Sequence, residues 1–253
     1  MNQPNIAKLP HARIAYYDIG EGKPIVLIHG FASNARVNWI GTNWVKVLNE
    51  AGYRCIALDN RGHGESEKFY EPHQYGPDIF ARDAADLLDH LGIQRCAVMG
   101  YSMGARITAW LCMHHGERVT KAIFGGMGAR LVAPPGNYEN IAAALETDEP
   151  DTIADPGGKM FRKFADATGS DRMALAACIR PSRQRITEGD VAKIETPVLV
   201  AVGEDDDVGG SPQVLADLIP GAKAVSLPGL DHMKATGAQP FKDAALDFLK
   251  GAG

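Results

Sequence analysis

Long apolar runs are missing from this chain. The longest, residues 25–28 and 197–202, are far too short to cross a bilayer. Residues 1–10 lack the apolar centre of a secretory signal, so the expected location is the cytoplasm. Cysteine is scarce. Cys55, Cys96, Cys112 and Cys178 stand far apart with no C-x-x-C spacing, which argues against a disulfide framework or a zinc site. They read as small buried hydrophobes, and no metal ligands are expected. A large excess of one charge is also missing. A net charge of −5 gives no electrostatic ground for binding nucleic acid or an anionic membrane. The basic cluster Arg180, Arg183 and Arg185 reads as a solvated turn. Repeats, a dinucleotide fingerprint and a phosphate-binding loop are absent as well, so no cofactor is expected.

What is present is an ordinary globular composition. With 45 % hydrophobic and 23 % charged residues over 253 positions, one large domain accounts for the chain. Apolar strand-like runs alternate with helix-like runs, the pattern of a mostly parallel sheet covered by helices on both faces. The strand candidates are residues 13–18, 24–28, 54–58, 95–99, 121–124, 197–202 and 222–227. The later, fully apolar ones suit central strands buried on both sides. Helices are expected over 41–51, 74–91, 103–115, 212–219 and 240–250. Residues 128–185 break the alternation. They hold helical patches near 137–145, 159–167 and 171–179, and they read as a small helical lid inserted in a core made of 1–127 and 186–253.

Gly100-Tyr101-Ser102-Met103-Gly104 is a G-x-S-x-G match. Seven serines and 28 glycines in 253 residues give about 0.09 such matches by chance, so the motif alone is weak. Its setting strengthens it. An apolar strand precedes it and a helix follows, so Ser102 would sit on a sharp turn whose neighbours must be small. The following helix start offers free N–H groups to a developing negative charge.

A serine nucleophile needs a base. Among eight histidines, His232 alone lies beyond the last strand candidate, in the turn Pro228-Gly229-Leu230-Asp231-His232 before the final helix. His114 and His115 close a helix, and His11, His63, His73 and His90 read as solvated turn or helix-end residues. His29 is expected to order its loop by hydrogen bonding. The acid that orients the base should follow strand 197–202, where Glu204, Asp205, Asp206 and Asp207 are consecutive. The G-x-x-D spacing selects Asp206, with Asp207 as the alternative. The other candidate loop, 125–128, contains no carboxylate.

Together these residues resemble the α/β-hydrolase superfamily, in particular its small, lid-bearing, esterase-like bacterial members. The likeness spans nearly the whole chain. It rests on H-G-F-A-S-N-x-x-x-N-W from His29 to Trp39, D-N-R-G-H-G-E-S from Asp59 to Ser66, G-Y-S-M-G, G-E-D-D and the D-H pair at Asp231-His232. Relatives often carry proline after the acid, where this chain has Asp207. The resemblance implies an α/β-hydrolase fold, a Ser102–His232–Asp206 triad, and an oxyanion hole made by the backbone N–H groups of Phe31 and Met103. It implies a structural role for the 59–66 turn. Serine at 102 argues against dehalogenase or epoxide hydrolase chemistry, which needs an aspartate there. The expected activity is hydrolysis of small or medium carboxylic esters through an acyl-enzyme. A C–C bond hydrolase, a cofactor-free perhydrolase (haloperoxidase) and a slow-turnover ligand receptor are the alternatives. The expected partner is a small ester-like molecule, and the sequence does not specify an oligomeric state. Trp39, Met127, Leu131, Met160, Phe161, Phe164, Met173 and Met233, together with Phe31, are the candidates for lining the substrate cavity.

Overall fold

The computed structural model describes residues 3–134, 136, 138–181 and 185–251. The strands are β1 (Asn5–Lys8), β2 (Arg13–Ile19), β3 (Lys23–Ile28), β4 (Tyr53–Leu58), β5 (Cys96–Tyr101), β6 (Val119–Gly125), β7 (Val198–Gly203) and β8 (Lys223–Leu227). The helices among the described residues are α1 (Trp44–Glu50), α2 (Pro77–His90), α3 (Met103–His114), α4 (Glu139–Glu146), α5 (Pro156–Thr168), α6 (Arg172–Ile179), α7 (Glu188–Val191), α8 (Pro212–Leu218), α9 (His232–Ala235) and α10 (Gln239–Lys250). The strands form one sheet in the order β1-β2-β4-β3-β5-β6-β7-β8. Strand β2 pairs antiparallel with both β1 and β4, and all other pairings are parallel. This is the α/β-hydrolase fold expected from the sequence.

Strand periodicity divides the core in two. In β3, Val26 and Ile28 face the layer shared with α2, α3 and α8, while Ile25 and Leu27 face the layer shared with α1 and α10. Strands buried on both faces lose the polar alternation of a half-exposed strand, which is why β3 to β7 read as continuous apolar runs. Run 222–227 is an exception. It is the edge strand β8, and of its residues only Leu227 is buried, so it is not a central strand. Strand β1 has no counterpart among the sequence candidates. Four residues with one buried side chain, Ala7, are too few to show a period. A π-helix at Arg36–Ile40 precedes α1, so the helix expected from residue 41 begins at Trp44.

Turn 59–66 is a buried polar framework. Asp59 accepts the N–H groups of Ala35 at 2.7 Å and Glu65 at 2.8 Å, tying two loops together. Gly64, at φ +47°, leaves room for that carboxylate, and a Cβ there would collide with it. Ser66 Oγ donates to Asp59 O at 2.6 Å and accepts the Ala15 N–H at 2.8 Å. Arg61 makes a two-pronged pair with Asp83 of α2, at 2.6 and 2.7 Å, with both side chains almost fully buried. The turn thus has the structural character expected of it.

Within residues 128–185 the described residues form helices and turns and no strand. Helix α5 starts where Asp155 accepts the Gly158 N–H with Pro156 at the first position, and stops at Gly169 with φ +63°. Arg162 and Arg172 donate to the last carbonyls of α4, including Thr147 O at 2.6 and 2.9 Å. The helix expected from residue 137 is α4, which begins at Glu139; Asn137 lies outside the described residues, as does Arg183. Arg180 does not sit in a solvated turn. It caps α6 and pairs with Glu139 at 3.0 Å and Glu146 at 2.8 Å. No helix among the described residues is long and apolar enough to cross a membrane.

Removing one partner of a buried pair strands the other charge. Asp83→Ala should therefore cost about 3–5 kcal/mol in urea unfolding. The paired replacement Arg61→Met with Asp83→Leu should cost far less. A loss below about 1 kcal/mol for Asp83→Ala would show that the pair does not hold the turn.

Candidate active site

Parallel strands deliver their C-terminal loops to one edge of the sheet, and every residue of the site hangs from that edge. The loop after β5 is the tightest. Ser102 stands between β5 and α3 at φ 54°, ψ −113°, a region that side-chain-bearing residues rarely occupy. Two flanking glycines permit it. A Cβ on Gly100 would collide with Gly104 O, and a Cβ on Gly104 would collide with Ile28 O. The Ser102 N–H donates to Gly125 O at 2.8 Å, locking the turn to β6.

His232 follows β8 and approaches Ser102 from the side. Its Nε2 lies 3.0 Å from Ser102 Oγ, and its Nδ1 lies 2.7 Å from Asp206 Oδ2. The other carboxylate oxygen, Asp206 Oδ1, accepts the N–H groups of Val208 at 2.9 Å and Gly209 at 2.8 Å. Asp206 is buried, whereas Glu204, Asp205 and Asp207 are exposed. The geometry therefore brings Asp206, and not Asp207, to the imidazole. With Nδ1–H donating to a carboxylate, Nε2 is left to accept the serine O–H. His232 does not lie in a flexible turn. It opens the short helix α9, capped by Asp231, which accepts the N–H groups of Met233 and Lys234. Four residues are too few for a helical period, and the Asp231 cap was the available signal. The Tyr101 hydroxyl donates to His232 O at 2.5 Å and fixes the base from below.

The loop after β3 faces the same point. Among the described residues, neither the Phe31 N–H nor the Met103 N–H donates to a protein acceptor. Met103 is the first residue of α3, where such N–H groups are free by construction. Ala32, at φ 58°, turns the loop. The loop is held from underneath by His29, whose Nδ1–H donates to Gly30 O at 2.7 Å and whose Nε2 accepts the Asn60 N–H at 2.9 Å. His29 thus orders the loop, as expected. His63 departs from expectation. Instead of being solvated it is fully buried, packed against His29 at 5.1 Å and edge-on to Phe31 at 5.8 Å between ring centres. Burial drives both imidazoles toward the neutral form, His29 down to about 4 and His63 to about 3, the latter with a further contribution from His29.

A cavity of about 420 Å³ opens over Ser102 and His232. Met160, Phe161 and Phe164 from α5, with Phe31 and Met233, line it as expected. Positions 160, 161, 164 and 167 fall on one helical stripe, which explains their shared direction. The Phe161 ring meets Phe31 edge-on at 5.3 Å. Four other candidates lie elsewhere. Trp39 is fully buried against Trp44 on the α1 side of the sheet. Met127 and Leu131 are buried in the opposite core layer. Met173 points to solvent from the first turn of α6. Apolar character could not separate lining from packing for these four. Sequence reasoning missed Val37, Asn38, Thr42, Tyr101, Val208 and Thr236, which also line the cavity. They belong to the π-helix, the strand end and loops, where no amphipathic period marks a face.

Eight strands in this order, with serine, carboxylate and histidine on the loops after β5, β7 and β8, define an α/β-hydrolase architecture. Residues 23–149 match the family model described as alpha/beta hydrolase fold, and the chain belongs to that family. It is 42 % identical to a putative non-heme chloroperoxidase of a Synechocystis strain, over 94 % of this chain and 95 % of that protein. It is similar to the crystal structure of bromoperoxidase from Bacillus anthracis, with a TM-score of 0.80 and 27 % identity over 98 % of this chain and all of the other. It is 25 % identical to a bifunctional esterase/perhydrolase of Acinetobacter calcoaceticus, over 94 % of this chain and 96 % of the relative.

The two buried histidines make stability depend on pH. Their folded-state pKa values lie below the unfolded value near 6.5, so the unfolded chain binds more protons as the pH falls. Their contribution is complete above about pH 6.5 and is lost progressively as the pH falls, to about pH 4 for His29 and about pH 3 for His63, each proton adding about 1.4 kcal/mol per pH unit at most. His63→Gln should flatten the slope of unfolding free energy between pH 6.5 and 4.5, as measured by urea titration at each pH. An unchanged slope would mean that His63 is already protonated in the fold.

Proposed function

We propose that this chain is a serine hydrolase that cleaves carboxylic esters of small to medium size. The observation that carries the reading is the continuous hydrogen-bonded chain Ser102–His232–Asp206, with links of 3.0 and 2.7 Å, at the floor of an open, largely apolar cavity. His232 Nε2 takes the Ser102 proton as Oγ attacks the ester carbonyl. Asp206 holds the imidazole tautomer and stabilises the imidazolium. The N–H groups of Phe31 and Met103 receive the developing oxyanion. His232 then protonates the departing alcohol, and water, deprotonated by His232, releases the acid and restores Ser102. In this reading α4 to α6 act as a lid that shapes the acyl site.

The names of the relatives favour a second reaction at the same centre. Hydrogen peroxide in place of water would attack the acyl-enzyme carbonyl, giving a peracid and free Ser102, with His232 carrying the proton from peroxide to Oγ. The peracid would then oxidise halide in solution. Esterase and perhydrolase differ only in the second acceptor, so one triad serves both.

Ser102→Ala should lower hydrolysis of p-nitrophenyl acetate by at least about 10³-fold while the fold persists. The same variant should abolish bromination that depends on peroxide and a carboxylic acid. Asp206→Asn should lose on the order of 10⁴-fold and Asp207→Asn little. Equal activity of wild type and Ser102→Ala would remove the mechanism, and a wild type without ester turnover would favour the receptor reading. In the lid, Phe164→Ala should raise the preference for longer acyl chains by roughly fourfold per methylene newly accommodated, about 0.8 kcal/mol each. Acetate turnover should persist. A chain-length profile identical to wild type would assign Phe164 to packing alone.

A further inference from the structure

Asn38 lies in the middle of the π-helix Arg36–Ile40, and its backbone is fixed on both sides. Its N–H donates to Asn34 O at 2.9 Å, and its carbonyl accepts the Thr42 hydroxyl at 2.7 Å. Its side-chain Oδ1 accepts the Gly30 N–H at 3.0 Å. The Gly30 N–H can only donate, so the amide cannot reverse without leaving that N–H facing another donor. The amide nitrogen is therefore oriented by the protein, and it is left over. Nδ2 is buried and has no hydrogen-bond partner among the described residues, in a side chain only 4 % exposed. Buried amide donors are normally paired, so an unpaired one in a residue that lines the cavity calls for a partner from outside the chain.

The location is next to the reaction. The point where a Cβ of residue 30 would stand is 3.5 Å from Ser102 Cβ and 3.8 Å from Asn38 Oδ1. The Thr42 and Thr236 hydroxyls on the lining are engaged, Thr42 with Asn38 O and Thr236 with His232 O. We propose that the Asn38 Nδ2–H is a specificity group, donating a hydrogen bond to an oxygen of the substrate a few atoms from the scissile carbonyl. This rests on the acyl-transfer reading above. The matching group is an uncharged acceptor, an ether, hydroxyl or carbonyl oxygen. An amide donor carries no charge and satisfies a neutral acceptor, whereas a carboxylate would exchange its hydration for that one neutral donor, since the cation on the lining, Lys163, is exposed to solvent on α5. A site with a buried donor discriminates against an analogue that has a methylene in that place, because the donor is then left unpaired again.

Two isosteric ester pairs test this. On the acyl side the pair is p-nitrophenyl methoxyacetate and p-nitrophenyl butyrate; on the alcohol side it is 2-methoxyethyl acetate and butyl acetate. Each kcat/KM is divided by the rate constant for hydroxide-catalysed hydrolysis, which removes intrinsic reactivity. Wild type should prefer the oxygen-bearing member of one pair by roughly threefold to tenfold, the size of one neutral hydrogen bond. Asn38→Asp keeps an acceptor for the Gly30 N–H and removes the donor, and Asn38→Ala removes both; in each the preference should fall to about one. The inference is overturned if wild type shows no preference in either pair, or if the preference survives in both variants. It is also overturned if both members of a pair drop together in Asn38→Ala and recover together in Asn38→Asp, since Asn38 would then only anchor Gly30. Ser102-dependent turnover of the oxygen-free esters by wild type reports on the acyl-transfer reading separately, so the two can fail independently.

Discussion

The close approach of the turn between β5 and α3 to the end of β3 is the contact around which the site is built. Gly104 lies so near Ile28 O that no side chain fits between them, and Gly100 lies equally near Gly104 O. This packing holds Ser102 at φ 54°, with its Oγ within 3.0 Å of His232 Nε2 and α3 beginning at the next residue. It also brings the 29–32 loop beside the nucleophile. The backbone strain at Ser102 is of the order of 1–3 kcal/mol, and the buried sheet around it is what sustains it.

A second tier of buried polar groups holds the loops that carry the site. Asp59 joins the start of the π-helix to turn 59–66, His29 and Asn60 join that turn to the 29–32 loop, and the Arg61–Asp83 pair fastens it to α2. Asp59 and His29 are met by backbone groups, Arg61 and Asp83 meet each other, and His63 packs among them as a neutral ring with its Nδ1 on Arg61 O. Such a network costs desolvation, and its gain is positional: the backbone amide of Phe31 is held in place without itself being used in a protein hydrogen bond.

Helix α5 closes the arrangement from above. One stripe of α5, with Met160, Phe161 and Phe164, faces the cavity. The Thr168 hydroxyl near its end lies 3.1 Å from Ala32 O, in the loop below. The helix that lines the cavity is therefore in direct contact with the 29–32 loop. The Phe31 and Phe161 rings meet edge-on at the same junction. The wall on the other side, with Asn38, Thr42 and Thr236, carries polar groups, so the cavity has an apolar roof and a partly polar flank.

The sequence by itself determined the fold class and which serine and histidine meet at the site. Buried parallel strands must be nearly all apolar, and a serine on a strand–helix turn must have glycine neighbours; both leave marks within a few residues. Chain order did the same for His232, since one histidine lies beyond the last strand. The tertiary structure alone decided three other matters. It chose Asp206 from four adjacent carboxylates, because only that side chain turns inward beneath His232. It buried His63, whose turn sequence reads as solvated, by packing it against His29 and Phe31 of a loop distant in the chain. It also divided the apolar candidates. Trp39, Met127 and Leu131 went to the core, and Met160, Phe161, Phe164 and Met233 to the cavity. A residue's type says that it will leave water, but which surface it meets depends on the elements packed against it.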